Sequence, residues 1–382
     1  MIAQKDFEYA VAIRRKIHRH PEIGFDLPET ARLVREELDK MGVAHSEAFA
    51  PCSVVGYIGN DPAKKTLALR ADMDALPVEE KVDLPFKSEL PGKMHACGHD
   101  THTAILLTVA RILKEKEKEL PCNVRLLFQP SEECEESGAK LMTENGAVDG
   151  ADAVVCTHCE PMMPVGHVGV ARGDYMAACM PFTIRFFGRT SHAAAAPEKG
   201  IDAIKMAVRA FHELSDAVKA AFGGEKYIWN VGVFQGGTAH NVIADYCELK
   251  ATFRYFDQTR ADAFRAEAGK ILDKIAADFG GRVEWEAPIS SHPSYNDPAL
   301  VDAFRRVMAP FPEPVVEELG TRMSSEDFNW YLQKVPGFIF RYGVRNEKEG
   351  CDQPAHSNCF KVDENGMKYA VETFLRVVEN FR

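Results

Sequence analysis

Three β-rich segments of this chain each end by handing over side chains that bind metals or move protons, and this recurrence constrains the fold more than any other feature. Residues 66–69 run into R-A-D-M-D-A-L-P, which carries Asp72 and Asp74. Residues 124–128 run into Q-P-S-E-E, which carries Glu132 and Glu133, and residues 153–157 end at His158. In open α/β sheets, binding groups gather beyond the carboxyl ends of the strands. The pattern therefore predicts an α/β domain whose strands converge on one site. Adjacent carboxylates at such a place suit a division of labour in which one binds a metal and its neighbour handles protons. The acidic run continues through Glu135 and Glu136, so a helix start favoured by the helix dipole fits it too.

Between the first two of these segments lies M-H-A-C-G-H-D-T-H, beginning at Met94, which crowds His95, Cys97, His99 and His102 into one turn-like stretch. Imidazole and thiolate suit zinc and its first-row neighbours, and Gly98 lets the backbone bend Cys97 and His99 onto one ion. Taken alone, the stretch fits satisfied core or surface histidines equally well. His18 and His20, in H-R-H-P-E, read as surface or helix-end histidines, because nothing near them completes a ligand set.

A chain of 382 residues exceeds what one hydrophobic core usually serves, so two domains are expected. Residues 6–41 read as two helices broken at Pro21 and Gly24, residues 53–57 and 66–69 as a strand pair across G-N-D-P, and residues 103–113 as an apolar helix. The texture then changes. Strand 182–187, helix 201–222, strands 227–234 and 246–255, helix 260–279 and strand 282–285 follow in βαββαβ order. Such a unit forms a four-stranded antiparallel sheet with two helices on one face, leaving an edge or face for a second copy. Residues 178–288 are thus read as an inserted domain, and residues 1–177 with 289–382 as a discontinuous metal-binding catalytic domain. The latter resumes with helix 298–308, strand 338–342, the loop carrying His356, and a closing helix from Asp363.

A formal net charge of -11 argues against nucleic-acid or anionic-membrane partners, which need a basic face. The charged start and the lack of a bilayer-length apolar run predict a soluble, cytoplasmic protein. Ten cysteines without dense spacing read as reduced thiols, one or more of them on metal.

With these segments in place, the sequence resembles the M20 metallopeptidase and amidohydrolase family, in its aminoacylase-like branch of N-acyl-amino-acid, hippurate and auxin-conjugate hydrolases. The resemblance covers nearly the whole chain, through H-R-H-P-E at His18, R-A-D-M-D-A-L-P at Arg70, M-H-A-C-G-H-D-T-H at Met94 and F-Q-P-S-E-E at Phe128. It continues with G-R-T-S-H-A-A at Gly188, N-V-I at Asn241, T-F-R at Thr252, S-E-D-F at Ser325 and A-H-S-N-C-F at Ala355.

The resemblance implies a zinc-exopeptidase-like α/β catalytic domain and an inserted α+β, ferredoxin-like lid that also dimerises. It implies two divalent metal ions, from among zinc, manganese, cobalt and nickel, on Cys97, His99, Glu133, His158 and His356. Glu132 would be the general base, and Asp74 would orient a ligand. In the lid, His192 would approach the substrate, typically from the partner subunit, with Asn241 nearby and Arg254 as a weaker candidate for a substrate carboxylate. A turn histidine stabilising its own loop is the other reading of His192. The implied reaction is hydrolysis of the amide of an N-acyl amino acid. A dipeptidase with the same metals remains open, as does a binding protein that has lost turnover. Where the branch commonly has Pro after N-V-I this chain has Ala244, and Glu198 stands where His is frequent. These departures touch the lid and leave substrate preference open.

Overall fold

The computed structural model describes residues 1–382. In chain order the first elements are helices α1 (Gln4–Arg19) and α2 (Pro28–Met41), and strands β1 (Ala44–Ser46), β2 (Val54–Ile58) and β3 (Thr66–Asp72). Next come helix α3 (His99–Glu115), strand β4 (Asn123–Gln129), helix α4 (Gly138–Glu144), and strands β5 (Ala153–Pro164), β6 (His167–Val170) and β7 (Gly173–Asp174). A middle stretch holds β8 (Ala178–Phe187), α5 (Ala203–Phe222), β9 (Ile228–Gly236), β10 (Tyr246–Tyr255), α6 (Gln258–Phe279) and β11 (Arg282–Glu286). The chain closes with β12 (Tyr295–Asn296), α7 (Pro298–Met308), β13 (Val315–Glu318), α8 (Asn329–Leu332), β14 (Gly337–Arg345) and α9 (Gly366–Asn380). Two compact units result, one of Met1–Tyr175, Tyr295–Gly320 and Asp327–Arg382, the other of Met176–Ser294 and Thr321–Glu326.

The first unit is built on an eight-stranded mixed sheet in the order β1-β2-β4-β3-β5-β14-β6-β13. Its middle strands β4, β3, β5 and β14 run parallel to one another, with β2 and β6 antiparallel on either side. Parallel strands need both faces covered, and β3 is accordingly buried along almost its whole length. Helix α3 is apolar and buried nearly all round, as expected of a helix enclosed by other elements. It packs against α1, α2, α9 and the sheet. Asp297 caps the start of α7, accepting from Leu300 N–H, and Ser137 does the same for α4 through Lys140 N–H.

The second unit is a four-stranded antiparallel sheet, β11-β8-β10-β9, with α5 and α6 packed on each other and against it. Alternation along β8 sends Phe182, Ile184 and Phe186 into a core shared with Leu214, Phe253 and Phe264. Asp202 and Asp257 cap the two helices through Lys205 and Arg260 N–H. Strand β9 is an edge and is largely exposed. No helix is long and apolar enough to cross a membrane.

Three expectations are corrected. The segments at 53–57 and 66–69 are not a strand pair, because β4 lies between β2 and β3 and bonds to both. The G-N-D-P turn marks a reversal, whereas the parallel place beside β3 goes to the strand that returns from α3. The third strand does not stop before His158, since β5 pairs with β14 as far as Pro164 and places His158 mid-strand. Pro161 mimics a strand end without making one, and the strand ends only at Pro164. The motif at Met94 is not all turn, because α3 begins at His99 and puts His99 and His102 on its first turn.

Candidate metal centre

Gly98 carries a left-handed φ of +91°, and a Cβ there would lie 2.5 Å from Cys159 Sγ. Only glycine fits both demands. The bend it makes separates Cys97, in the loop, from His99, at the helix start. His99 Nδ1 donates to the Asp74 backbone carbonyl at 2.8 Å, which leaves Nε2 as the ring nitrogen open to a proton or a cation. That nitrogen is buried without a hydrogen-bond partner, 3.8 Å from Glu132 Oε2 and 3.9 Å from Glu133 Oε1.

The two glutamates are presented by one carboxylate. Asp74 Oδ1 accepts from Glu132 N–H and its Oδ2 from Glu133 N–H, each at 3.0 Å. Ser131, just before them, holds a left-handed φ of +55°, and His356 one of +67°. Non-glycine residues in that region are strained, and such strain collects at functional sites. His356 is tied to the metal-type motif by its own N–H, which donates to Ala96 O at 2.8 Å, and its Nε2 lies 3.1 Å from Glu133 Oε1. On the far side, His158 Nδ1 donates to Cys159 O at 2.7 Å, and Nε2 lies 3.4 Å from Cys97 Sγ.

The donor atoms fall into sets whose members all lie within 4.8 Å of one another: Cys97 with His99 and His158, Cys97 with Glu133 and His356, and His99 with Glu132 and Glu133. The orphaned Nε2 of His99 and this mix of thiolate, imidazole and carboxylate fit borderline divalent cations. The local field agrees. Burial opposes charge on Asp72, but His99, Arg70 and His102 outweigh it and hold its carboxyl well below the ordinary range. Burial also opposes a proton on His99, yet Asp72 and Asp74 lift it to about 10. A site that draws positive charge this strongly is suited to a cation.

His102 contributes no free nitrogen, since one faces Asp72 and the other Cys159 N–H. His20 is exposed; His18 is a helix-end histidine, in the last turn of α1, but not a surface one, being 2% exposed between Asp100 and Glu80. Both carboxylates come from distant segments, so no local spacing reveals the pairing. Chemical spacing also misses the buried groups behind the site: Arg70 donates to Asp72 and to Asp327, and Cys159 N–H donates to His102. Arg70 and Asp327 do fall in the quoted R-A-D-M-D-A-L-P and S-E-D-F stretches.

In the second unit, His192 is exposed, and its Nδ1 accepts from Ala194 N–H at 3.2 Å and Ala195 N–H at 3.1 Å. The ring proton therefore sits on Nε2. Asn241 O accepts from Ala193 N–H, joining the two loops. Arg254 Nη1 donates to Thr252 Oγ1 and Cys179 Sγ, both at 2.7 Å.

Residues 68–380 match the family described as Peptidase family M20/M25/M40. Thermostable carboxypeptidase 1 of Saccharolobus solfataricus is 36% identical over 94% of this chain and 92% of its own length. An IAA-amino acid hydrolase of Arabidopsis thaliana is 37% identical over 95% and 83%. Among solved structures, a dinuclear metal-binding peptidase of the M20 family from Bacillus subtilis superposes with a TM-score of 0.83 at 28% identity, covering 98% of both chains.

Proposed function

The chain belongs to peptidase family M20/M25/M40, and from that premise we propose that it is a metal-dependent amidohydrolase that splits N-acyl amino acids into a carboxylate and a free amino acid. The observation that carries this reading is the pair Glu132 and Glu133 on one Asp74 clamp, Glu133 turned toward Cys97 and His356 and both glutamates facing His99 Nε2. The carboxypeptidase and IAA-amino acid hydrolase relatives support an amide that carries an amino acid. The former also favours a second reading, a dinuclear dipeptidase or exopeptidase with the same centre.

In this reading Cys97, His99, Glu133, His158 and His356 hold two divalent cations, zinc, manganese, cobalt or nickel. When bound, these supply polarisation of the amide carbonyl and a hydroxide nucleophile near neutral pH. Glu132 takes the proton of the attacking water and returns it to the departing amine. Asp74 keeps Glu132 at the height of its neighbour. The His192 Nε2–H is a donor for the developing oxyanion; removing one such donor typically costs about 2.7–4 kcal/mol. Asn241 and Arg254 bind the substrate, Arg254 through its carboxylate.

Residues 1–177 with 289–382 serve as the catalytic domain and 178–288 as a lid that pairs with a second copy. Ile204, Val208 and Phe211 are 36%, 42% and 36% exposed along one stripe of α5, and Phe234 on edge strand β9 is 41% exposed. Spacing at i, i+4 and i+7 makes that stripe continuous and supports a homodimer through this unit. We place the protein in the cytoplasm.

The test is a metal-supplemented screen of N-acetyl, N-benzoyl and longer N-acyl amino acids beside dipeptides, scored by the amine released. Turnover of N-acyl amino acids above dipeptides is expected. Preference for dipeptides selects the peptidase reading, and no hydrolysis of either class in a metal-loaded protein contradicts both.

A further inference from the structure

His102 shares the G-H-D-T-H stretch with His99 but spends both ring nitrogens on the protein. Nδ1 donates to Asp72 Oδ1 at 2.6 Å, and Nε2 accepts from Cys159 N–H at 2.9 Å. A ring that accepts at Nε2 carries its proton on Nδ1, so one tautomer is fixed. Asp72 is gripped in turn by Arg70 Nη1 at 2.6 Å, and Arg70 Nη2 donates to Asp327 Oδ1 at 2.8 Å. Asp327 also accepts from Gln129 Nε2 and Ser137 Oγ. Arg70, Asp72, His102 and Asp327 are all buried, so their bonds are short of competing water and hold geometry firmly.

The receiving end of this chain of bonds is the residue beside a candidate ligand. Cys159 O accepts from His158 Nδ1, while Cys159 Sγ donates to Cys97 O at 3.1 Å and fills the space Gly98 leaves open. The His102 ring also lies 4.6 Å from the His158 ring, centroid to centroid, at 58°. Rotation of the Cys159 backbone would thus swing His158 Nε2 away from Cys97. Outer partners of metal-binding groups are worth about 10–100-fold in metal affinity.

We propose that His102 is a positioning residue: its bond to Cys159 N–H, pinned through Asp72 and Arg70, holds His158 in place to bind an ion. This rests on the reading of the site as a metal centre. A core-filling histidine would instead affect folding without a specific effect on the ion.

Two isosteric halves of the ring separate its bonds. In His102→Gln the side-chain carbonyl reaches the Nε2 position and accepts from Cys159 N–H. In His102→Asn the amide reaches only the Nδ1 position and keeps the bond to Asp72. Titration of metal-free protein with Zn²⁺ or Co²⁺ against a competing chelator, with unfolding of the metal-free proteins followed in parallel, reads out both roles. The expected result is two ions per chain in wild type and His102→Gln, with affinity for one ion reduced about 10–100-fold in His102→Asn. Equal affinity in all three proteins overturns the inference, as does equal loss in Gln and Asn. If His102→Asn does not fold, His102→Ala, which also lacks the acceptor for Cys159 N–H and leaves Asp72 in place, is expected to weaken one ion; unchanged affinity there overturns the inference too. Wild type that binds no ion at all refutes the metal-centre reading itself, and this inference with it.

Discussion

Cys97 Sγ lies 3.4 Å from His158 Nε2, and the same sulfur belongs to the set formed with Glu133 and His356. One thiolate is therefore common to two of the candidate donor sets. Cys97→Ala is expected to remove both ions, whereas His158→Ala and His356→Ala each remove one. Elemental analysis of the three purified variants checks this, and identical stoichiometry in all three argues against two separate positions.

Glu132 and Glu133 share the Asp74 clamp, and the proposed function gives them different duties. Glu132→Gln is expected to lower kcat by about 10²–10⁴-fold with metal content unchanged. Glu133→Gln is expected to lower metal content first. Steady-state kinetics beside metal analysis distinguishes the roles, and equal metal loss in both variants defeats the assignment.

The converging strand ends were legible because Asp72 closes, and Glu132 and Glu133 follow, strands whose apolar runs are visible in the sequence. The strand order was not. β4 sits between β2 and β3 because of a crossover, and local propensity is silent about which edges meet. His158 was located as a candidate while its strand was cut short, since prolines on an edge or after a bulge look like strand ends. The burial of His18 at its helix end is not legible for a related reason: its partners Glu80 and Asp100 lie 62 and 82 residues away, beyond any local window. The outer supports Arg70 and Asp327 are 257 residues apart and carry no spacing signal at all.

Buried His18 donates to Asp100 Oδ2 at 2.8 Å and faces Glu80 Oε1 at 3.2 Å. Burial disfavours its proton, but Asp100 and Glu80 outweigh that and raise its pKa. A raised folded pKa means that this stabilisation is complete below the unfolded value, near 6.5, and fades as pH rises through the folded one. Burial likewise opposes charge on Glu80, and His18 and Ser88 N–H outweigh it, so its share is lost on acidification. Glu80→Gln should cost about 3–5 kcal/mol near pH 6 and less at pH 9. Denaturant unfolding at the two pH values measures the difference, and a cost independent of pH contradicts the pairing.

The apolar stripe of α5 predicts an assembly that charge will break. Val208→Glu and Phe211→Glu are expected to shift the protein to monomer in light scattering while retaining the helix content. An unchanged dimer, or a monomeric wild type, excludes this face as the contact.

Gly98→Ala combines a left-handed backbone with a Cβ 2.5 Å from Cys159 Sγ. The backbone alone costs about 1–2 kcal/mol. A lower melting temperature and weaker metal binding should appear together in the variant, and an unaltered centre would show that the loop adapts.

The most direct measurement is activity against bound metal per chain. Protein stripped by a chelator, verified metal-free by elemental analysis, is titrated with Zn²⁺, Mn²⁺, Co²⁺ or Ni²⁺ while hydrolysis of an N-acyl amino acid is followed. No turnover is expected without metal, and full turnover as occupancy approaches two ions per chain; metal-free protein that hydrolyses at the untreated rate would show that no metal is needed.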